Sequence, residues 1–133
     1  MKRPILIVED DEALRTTLAR HLRRHGYLVV EADSAESALA ELHGAVGPAL
    51  VILDINLPGD TGWSLLRSPA LDAAGRPPVV VASATAINPS RLREYDVAGY
   101  LPKPFPLETL VSTVDRLINK EQATTEARGT QQP

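Results

Sequence analysis

Residues 50–54 read Leu-Val-Ile-Leu-Asp, four apolar residues followed directly by a carboxylate. A strand that is apolar at every position is buried on both faces, which is typical of a parallel sheet with helices packed on both sides. The runs at 5–8 and 79–82 have the same apolar character. The stretch at 50–54 therefore predicts an inner strand of an α/β fold.

Amphipathic segments separate these apolar runs. Leu14, Leu18 and Leu22 recur every fourth residue and predict a helix, for which Gly26 supplies an end. Ser34 can cap a second helix. We expect strands at 5–8, 27–30, 50–53, 79–82 and 99–101, and helices at about 12–25, 34–43, 63–66, 89–95 and 106–119.

Strand and helix alternate five times along the chain, which predicts a five-stranded parallel sheet in a doubly wound, three-layer α/β sandwich. A chain of 133 residues fits one domain, which we place at 1–119. The segment 120–133 contains no large apolar residue, so we expect a polar disordered tail or the start of a linker there.

Composition argues against several classes of function. With 14 basic and 17 acidic residues, the net charge of −3 argues against direct binding to nucleic acid. The lack of cysteine excludes disulfides, thiolate metal sites and cysteine nucleophiles. Apolar runs are too short to cross a bilayer, and the acids at 9–12 end the first run too early for a signal peptide. We expect a cytoplasmic protein that does not contact membranes.

Polar side chains of distinct types follow four of the five predicted strands. They are Glu9 and Asp10 after the first, Asp54 after the third, Ser83 after the fourth and Lys103 after the fifth. The carboxyl ends of parallel strands lie at one edge of the sheet, where ligands of such folds bind. The sequence therefore predicts one cleft with three carboxylates, a hydroxyl and an ammonium group.

Three neighbouring carboxylates repel one another unless their pKa values rise or a cation lies between them. Their hard oxygen atoms, without nearby His or Cys, favour Mg²⁺, with Mn²⁺ as an alternative. A divalent ion, Lys103 and the Ser83 hydroxyl around one carboxylate suit phosphoryl transfer. In this interpretation Asp54 is the nucleophile and becomes an acyl phosphate.

Four segments carry a resemblance to a known family. They are 5–11 (Ile-Leu-Ile-Val-Glu-Asp-Asp), 53–59 (Leu-Asp-Ile-Asn-Leu-Pro-Gly), 81–84 (Val-Ala-Ser-Ala) and 100–105 (Tyr-Leu-Pro-Lys-Pro-Phe). In this order and at these spacings the chain resembles the CheY-like receiver domain of two-component response regulators, over about residues 3–119. The resemblance implies a flavodoxin-like fold with strand order 2-1-3-4-5.

By this resemblance, Asp54 is the phosphoacceptor of the family. Asp10 and Asp54 bind Mg²⁺ directly together with the backbone carbonyl of Asn56, while Glu9 acts through water. Lys103 contacts the phosphoryl group, and the peptide bond between Lys103 and the proline that follows it is expected to be cis.

The resemblance also implies a conformational switch. Ser83 and Tyr100 form the switch pair: on phosphorylation the hydroxyl moves toward the phosphoryl group and the aromatic ring turns inward. This reshapes the face made by the predicted fourth helix, fifth strand and fifth helix. Ala84 is a small neighbour of the phosphoryl site, and Asn56 and Thr85 stand where side chains tune hydrolysis.

The implied function is that of a phosphorylation switch in a two-component phosphorelay. The phosphoryl group comes from a sensor histidine kinase or a histidine phosphotransfer protein. The output acts on a downstream protein partner or on an output domain absent from this sequence, and a phosphorylation-linked dimer is compatible with it. Because the acyl phosphate is itself the signal, we expect no turnover of an external substrate and do not class the protein as an enzyme.

Other functions share parts of this pattern. A phosphate-independent interaction module of the same fold usually lacks an acid, the lysine or the phosphoacceptor, and none is missing here. A phosphatase of the haloacid-dehalogenase type carries a second Asp two residues after its nucleophile, where this chain has Asn56. A flavodoxin-like carrier needs a Ser/Thr/Gly phosphate loop after the first strand, and acids stand there instead.

A few residues stand outside the family pattern or beside it. Asp96 occupies a position where many relatives have Gly, near the end of the short predicted fourth helix. His21 and His25 lie one helical turn apart, and we expect solvated side chains rather than metal ligands. The arginines from Arg15 to Arg24 are expected on a solvated face, and Trp63 as a partly buried anchor of the third helix.

Overall fold

The computed structural model describes residues 2–44, 47–59 and 61–130, with side chains described as far as Lys120. These residues form, in chain order, β1 (Ile5–Val8), α1 (Glu12–Arg24), β2 (Val29–Ala32), α2 (Ala35–Leu42), β3 (Leu50–Asp54), α3 (Gly62–Arg67), α4 (Pro69–Ala73), β4 (Val79–Ser83), α5 (Pro89–Glu94), β5 (Gly99–Pro102) and α6 (Leu107–Thr130). Within the described ranges, the structure has no helix with the length and apolar character of a membrane span.

The five strands form one parallel sheet in the order β2-β1-β3-β4-β5. This confirms the predicted α/β fold and its strand order. The register pairs Val8 with Leu53 and Asp54 with Ala82, so the carboxyl ends of β1, β3 and β4 lie side by side. The direction of chain winding reverses at β1 and β3, the place where ligands of such sheets bind.

Alternate residues of the inner strands pack into two cores, one on each face of the sheet. Leu6 and Val8 belong to a cluster that includes Ala38 of α2. Ile5 and Ile7 belong to a second cluster with residues of α1 and α6. Since every position of β1 and β3 is buried, both strands are apolar throughout up to the terminal Asp of β3. Each large apolar side chain buried in this way contributes about 1.5–3 kcal/mol.

Helices α1, α2 and α5 begin at side-chain caps, and the cap at Ser34 is predicted from the sequence. Asp11 Oδ1 accepts a hydrogen bond from the backbone N–H of Leu14 at 3.1 Å and caps α1. Ser34 caps α2 by accepting from the N–H of Ser37 at 3.1 Å. Asn88 caps α5, whose first residue is a proline. Such caps satisfy backbone donors that have no partner inside the helix.

Helices α1, α4 and α5 end at residues in the left-handed backbone region, which for α4 is Gly75 with φ +92°. Gly26 follows α1 with φ +91°, which confirms its predicted role. Asp96 follows α5 with φ +54°, and the N–H of Val97 donates to the carbonyl of Leu92 at 3.0 Å. Aspartate is among the L-residues that tolerate this region. The end of α5 therefore has the left-handed geometry that usually calls for glycine, although residue 96 is Asp.

Some predicted boundaries are wrong. β2 begins at Val29 rather than at Tyr27, because the N–H of Tyr27 donates to Leu22 at the end of α1 instead. The short helix α4 was not predicted, although Ser68 caps it and Pro69 opens it. The predicted fourth and fifth helices are therefore α5 and α6.

The last helix is longer than predicted. α6 continues to Thr130, so the prediction of an end near Asn119 is wrong. The division into a domain at 1–119 and a polar disordered tail or linker start at 120–133 stays a prediction. Residues 131–133 of that segment lie outside the described residues.

Tyr27 connects the turn after α1 to α6, because its hydroxyl donates a hydrogen bond to the Asp115 carboxylate. Burial, then this hydrogen bond and the charge of Asp115, raise the pKa of Tyr27 from 10.0 to about 12. The pKa of Tyr27 is higher in the folded state than in the unfolded chain. Its contribution to stability is therefore full below pH 10.0 and is lost as the pH rises to about 12.

Asp115→Asn is therefore expected to lower the pKa of Tyr27, measured by an NMR titration of its ring carbons. Glu108→Gln, at an exposed carboxylate on the same helix, serves as the control and is expected to leave the titration unchanged. If Tyr27 titrates identically in Asp115→Asn and in the wild type, the Asp115 carboxylate does not raise the pKa of Tyr27.

Candidate functional site

The predicted polar residues meet at the carboxyl edge of the sheet. Glu9 follows β1, Asp54 ends β3, Ser83 ends β4 and Lys103 follows β5. The backbone N–H of Lys103 donates to the carbonyl of Ser83 at 2.8 Å, which ties the ends of β4 and β5 together. Parallel pairing in this register therefore brings side chains that are far apart in sequence into one cleft.

Three carboxylates cluster in this cleft. Oxygen atoms of Glu9, Asp10 and Asp54 all lie within 4.8 Å of one another. Glu9 is 3% exposed and Asp54 is 5% exposed, whereas Asp10 is accessible to solvent. Grouping these negative charges is unfavourable unless positive charge balances them. We call this group the acidic cluster, and it is a candidate site for a cation.

Lys103 lies between two members of the acidic cluster. Its Nζ is 2.5 Å from Glu9 Oε1 and 3.5 Å from Asp54 Oδ2. Burial by itself lowers the pKa of Lys103, but the hydrogen bond and charge of Glu9 and the charge of Asp54 outweigh this effect and raise the pKa. Lys103 therefore remains a positive charge at neutral pH.

Glu9 is held by contacts from several sides. Burial raises the pKa of Glu9 to about 7, against the opposing hydrogen bond from Lys103. Its Oε2 accepts from the N–H of Asp11 at 3.2 Å, and Arg15 Nη1 donates to its backbone carbonyl at 2.9 Å. The prediction of a solvated face is thus wrong for Arg15, which also pairs with Glu31 at 3.3 Å.

Asp54 is oriented by the loop that follows it. Its Oδ1 accepts from the backbone N–H of Asn56 at 3.0 Å. Gly62, at the start of α3, packs directly against the backbone of Asp54, and its N–H donates to the carbonyl of Ile55 at 3.2 Å. Sequence reasoning missed Gly62 as a positioning residue, since glycine is common in turn-rich loops whatever it packs against.

Gly62→Ala is expected to disturb both the fold and the cleft. A Cβ at this position would lie 2.8 Å from the carbonyl oxygen of Asp54 and 2.8 Å from the Cα of Ile55. Backbone must shift to relieve this overlap, at a cost of about 1–3 kcal/mol. Urea denaturation and Mg²⁺ titration measure the two effects.

Gly99→Ala is the matched control, because a Cβ there meets Thr113 and Val80 side chains at ordinary distances of 3.4–3.7 Å. We expect a small change in stability and unchanged Mg²⁺ affinity for this variant. Equal losses of stability and of Mg²⁺ affinity in the two variants would show that Gly62 has no special role beside Asp54.

The Ser83 hydroxyl is held by Thr85 and Asn56. Ser83 is 1% exposed, and its Oγ donates to the carbonyl of Thr85 at 2.9 Å while accepting the Thr85 N–H at 3.0 Å. Asn56 Nδ2 donates to Ser83 Oγ at 3.1 Å and lies 3.4 Å from Thr85 Oγ1. The side chains predicted to neighbour the phosphoryl site thus fix the hydroxyl in one orientation.

Tyr100 shares an acceptor with Ser83. The half-buried Tyr100 donates from its hydroxyl to the carbonyl of Thr85 at 3.4 Å, the same oxygen that Ser83 contacts. Ala84 is exposed beside them. The peptide bond between Lys103 and Pro104 is cis, as predicted. The residues of the predicted switch pair are therefore linked through a single backbone carbonyl.

Trp63 is a partly buried anchor of α3, as predicted, and the structure places it against residues of α5 and its C-cap. The half-buried indole lies 5.1 Å from the ring of Tyr95, between ring centres. The guanidinium of Arg91 lies 4.2 Å above the Trp63 ring, within the range of a cation–π interaction. This contact connects the helix after the Asp54 loop to the helix after the Ser83 loop.

Comparison with known proteins identifies the family. The family described as the response regulator receiver domain matches residues 5–115. The chain belongs to this family. The receiver domain is 37% identical, over 118 residues, to the transcriptional activator protein PfeR of Pseudomonas aeruginosa. The match covers 87% of this chain and 38% of PfeR. The chain spans 24–53% of the length of four such curated relatives.

Solved structures of response regulators share this architecture. The non-phosphorylated HemR receiver domain of Leptospira biflexa is 34% identical, with a TM-score of 0.76, and the match covers 88% of this chain and 94% of that one. A response regulator of Burkholderia pseudomallei, with a phosphorylated aspartic acid, calcium ion and citrate, is 26% identical. Its TM-score is 0.76, with 96% of this chain and 75% of that one covered.

Proposed function

We propose that this receiver domain is a switch that accepts a phosphoryl group on Asp54 from the phosphohistidine of a sensor kinase or phosphotransfer protein. The observation that supports Asp54 most strongly is its position as a buried carboxylate of the acidic cluster, 3.5 Å from Lys103. The phosphorylated aspartic acid of the Burkholderia pseudomallei relative supports the same chemistry here.

The acidic cluster suits Mg²⁺, with Mn²⁺ as the alternative. Its ligand atoms are hard carboxylate oxygens, the type that these ions prefer. Asp10 and Asp54 would bind the ion directly together with the backbone carbonyl of Asn56, and Glu9 would act through water. When bound, the ion supplies positive charge to the oxygens of the phosphoryl group.

The transfer forms one bond and breaks one. A carboxylate oxygen of Asp54 attacks phosphorus, and the phosphorus–nitrogen bond of the donor breaks, with its electron pair returning to the imidazole nitrogen. The N–H of Asn56 orients the attacking carboxylate through its hydrogen bond to Oδ1. Lys103 balances negative charge on the phosphoryl oxygens from its position between Glu9 and Asp54.

The Ser83 hydroxyl converts phosphorylation into a change of shape. A phosphoryl group on Asp54 is a charged acceptor, which binds a hydroxyl more strongly than the neutral carbonyl of Thr85 does. When Ser83 turns toward it, the Thr85 carbonyl loses one of its donors, and Tyr100 can turn inward. The equilibrium then shifts toward a conformer with an altered face of α5, β5 and α6.

The altered face would act on a downstream protein or on an output domain outside this sequence. Curated relatives that are longer than this chain are named as transcriptional regulators, which supports an output in transcription. The acyl phosphate is both the product and the signal, so catalytic turnover of an external substrate is not part of the proposal.

Acetyl phosphate provides the direct test. The wild-type protein is incubated with it, with and without Mg²⁺, and intact mass is recorded. We expect one added phosphoryl group that requires Mg²⁺, and borohydride reduction followed by fragment mass mapping should place it at Asp54. The proposal is wrong if no adduct forms and beryllofluoride, a stable phosphoryl mimic, also leaves the NMR spectrum of the Mg²⁺-bound protein unchanged.

Asp10→Asn is expected to weaken Mg²⁺ binding about tenfold or more, because a charged ligand of a hard cation becomes a neutral amide. Asp10 is exposed, so the fold should be retained. Calorimetry measures the affinity, and Asp72→Asn, which removes an exposed carboxylate of α4 outside the acidic cluster, is the control. Equal Mg²⁺ affinities of the two variants would refute the assignment of Asp10 as a ligand.

A further inference from the structure

Two histidines lie together at the end of α1 that is remote from the acidic cluster. His21 and His25 are one helical turn apart, and their ring centres are 4.8 Å apart with the ring planes inclined by 52°. His25 is exposed and His21 is half-buried, so solvent reaches both. At about 1.5 Å per residue along the helix, the pair is roughly 15–20 Å from the N-terminus of α1, where the acidic cluster lies.

The orientation of His25 is fixed in a way that favours metal binding. Its Nδ1 lies 3.0 Å from the backbone carbonyl oxygen of His21. A carbonyl oxygen can only accept, so Nδ1 carries the proton and Nε2 holds the free electron pair when the ring is neutral. Histidine ligands of metals characteristically donate their other ring N–H to a carbonyl or carboxylate, which sets the tautomer and the ring direction.

The separation of the rings matches a two-histidine chelate. With a metal–nitrogen distance of about 2.0–2.1 Å, each ring centre lies roughly 3.2 Å from the ion. Ring centres 4.8 Å apart then correspond to a nitrogen–metal–nitrogen angle of about 95–100°. This angle falls between the values of square-planar and tetrahedral coordination, so the separation of the rings fits binding of one ion by both side chains once their free nitrogens face it.

Against the expectation from the sequence, we propose that His21 and His25 form a surface chelate for a borderline divalent transition metal ion, with Cu²⁺ bound more tightly than Ni²⁺ or Zn²⁺. Imidazole nitrogens suit these ions, and affinity for such ligands is highest for Cu²⁺. Among the side chains that the structure describes, no acid or third histidine joins the pair in a metal-binding group. Water therefore completes the coordination, and the site is separate from the acidic cluster.

The surroundings of the pair disfavour cations that do not bond strongly to nitrogen. Arg20 and Arg24 are exposed neighbours on the same helix and repel any cation. Arg23 is engaged with Glu31 at 3.4 Å and with the carbonyl of Val29 at 3.0 Å. Mg²⁺ depends on charged oxygen ligands and gains nothing from two imidazoles, whereas Cu²⁺ gains two strong bonds to nitrogen. Occupancy would link the last turn of α1 to its C-cap residue and stabilise the folded state, by an amount that rises with the logarithm of metal concentration above the dissociation constant.

The test is a titration of the full chain with Cu²⁺ and with Zn²⁺ at saturating Mg²⁺, which is added to fill the cation site proposed at the acidic cluster. Ring signals of the histidines are followed by NMR, and bound metal is measured by equilibrium dialysis. We expect one equivalent of Cu²⁺, with selective loss of the His21 and His25 signals. Either His21→Asn or His25→Asn should lower the affinity about tenfold or more, because the second ligand no longer acts within the same chelate.

His43→Asn is the matched control, since His43 is exposed at the end of α2 and is the third histidine of the chain. It should bind Cu²⁺ as the wild type does. The proposal is overturned if both single variants of the pair keep wild-type affinity, or if Asp54→Asn rather than either histidine variant abolishes binding. Thermal denaturation without metal shows that each variant is folded, so a loss of affinity is not a loss of structure.

Discussion

Asp54→Asn is expected to lose all phosphoryl uptake from acetyl phosphate while the domain remains folded. The amide oxygen can still accept the N–H of Asn56, as Asp54 Oδ1 does at 3.0 Å, so the loop keeps its anchor. The amide is not a nucleophile toward phosphorus, and no acyl phosphate can form. Intact mass after incubation with acetyl phosphate and Mg²⁺ measures the loss.

Stability should not fall in Asp54→Asn. The substitution removes one of three clustered carboxylates and therefore relieves repulsion with Glu9 and Asp10. Asp11→Asn is the control, because it makes the same chemical change two residues from Glu9. Its fold should be retained, since asparagine can also cap α1. It should be phosphorylated as the wild type is. If Asp54→Asn forms a phosphoryl adduct at a yield near that of the wild type, the phosphoacceptor is another residue.

The central sheet and the composition of the cleft could be predicted from sequence because they rest on strong, local signals. Apolar runs such as that of β3 require burial on both faces, and a parallel sheet is the structure that provides it. Once the strands are parallel, their carboxyl ends share an edge. Glu9, Asp54, Ser83 and Lys103 then meet without any knowledge of side-chain packing.

The parts that could not be predicted depend on contacts between distant segments. The position of Arg15 on the carbonyl of Glu9 follows from how α1 packs on the sheet, and its helical spacing alone fits a solvated face. Gly62 is required by its contact with the backbone of Asp54, which only the folded loop shows. The orientation of Ser83 toward Thr85 is a choice between rotamers that sequence does not encode locally.

The predictions missed helix α4 and the end of α6 for a different reason. Ser68 followed by Pro69 is a recognisable helix start, but the segment is too short to show helical periodicity. The predicted end of α6 coincides with the last of its apolar residues, whereas the helix itself continues to Thr130 without them. Apolar periodicity predicts where a helix packs on the core and not how far its backbone extends.

Lys103→Ala is expected to separate metal binding from the switch. Lys103 Nζ contacts Glu9 Oε1 at 2.5 Å and lies 3.5 Å from Asp54 Oδ2. Without it the two buried carboxylates lose their balancing charge, which should cost about 1–3 kcal/mol of stability in the absence of a divalent ion. Mg²⁺ should then stabilise this variant more than it stabilises the wild type, because the ion supplies the missing positive charge.

The same variant should fail to respond to phosphorylation. Removal of the ammonium group leaves the phosphoryl oxygens with one cation instead of two. The phosphoryl group is then less well positioned to draw the Ser83 hydroxyl away from the Thr85 carbonyl. We expect Mg²⁺ binding to persist, and beryllofluoride to cause far smaller NMR shifts at Ser83 and Tyr100 than in the wild type. Lys103→Met, which keeps the apolar stem without the charge, separates loss of packing from loss of charge. If Lys103→Met switches normally with beryllofluoride, the charge of Lys103 is not part of the switch.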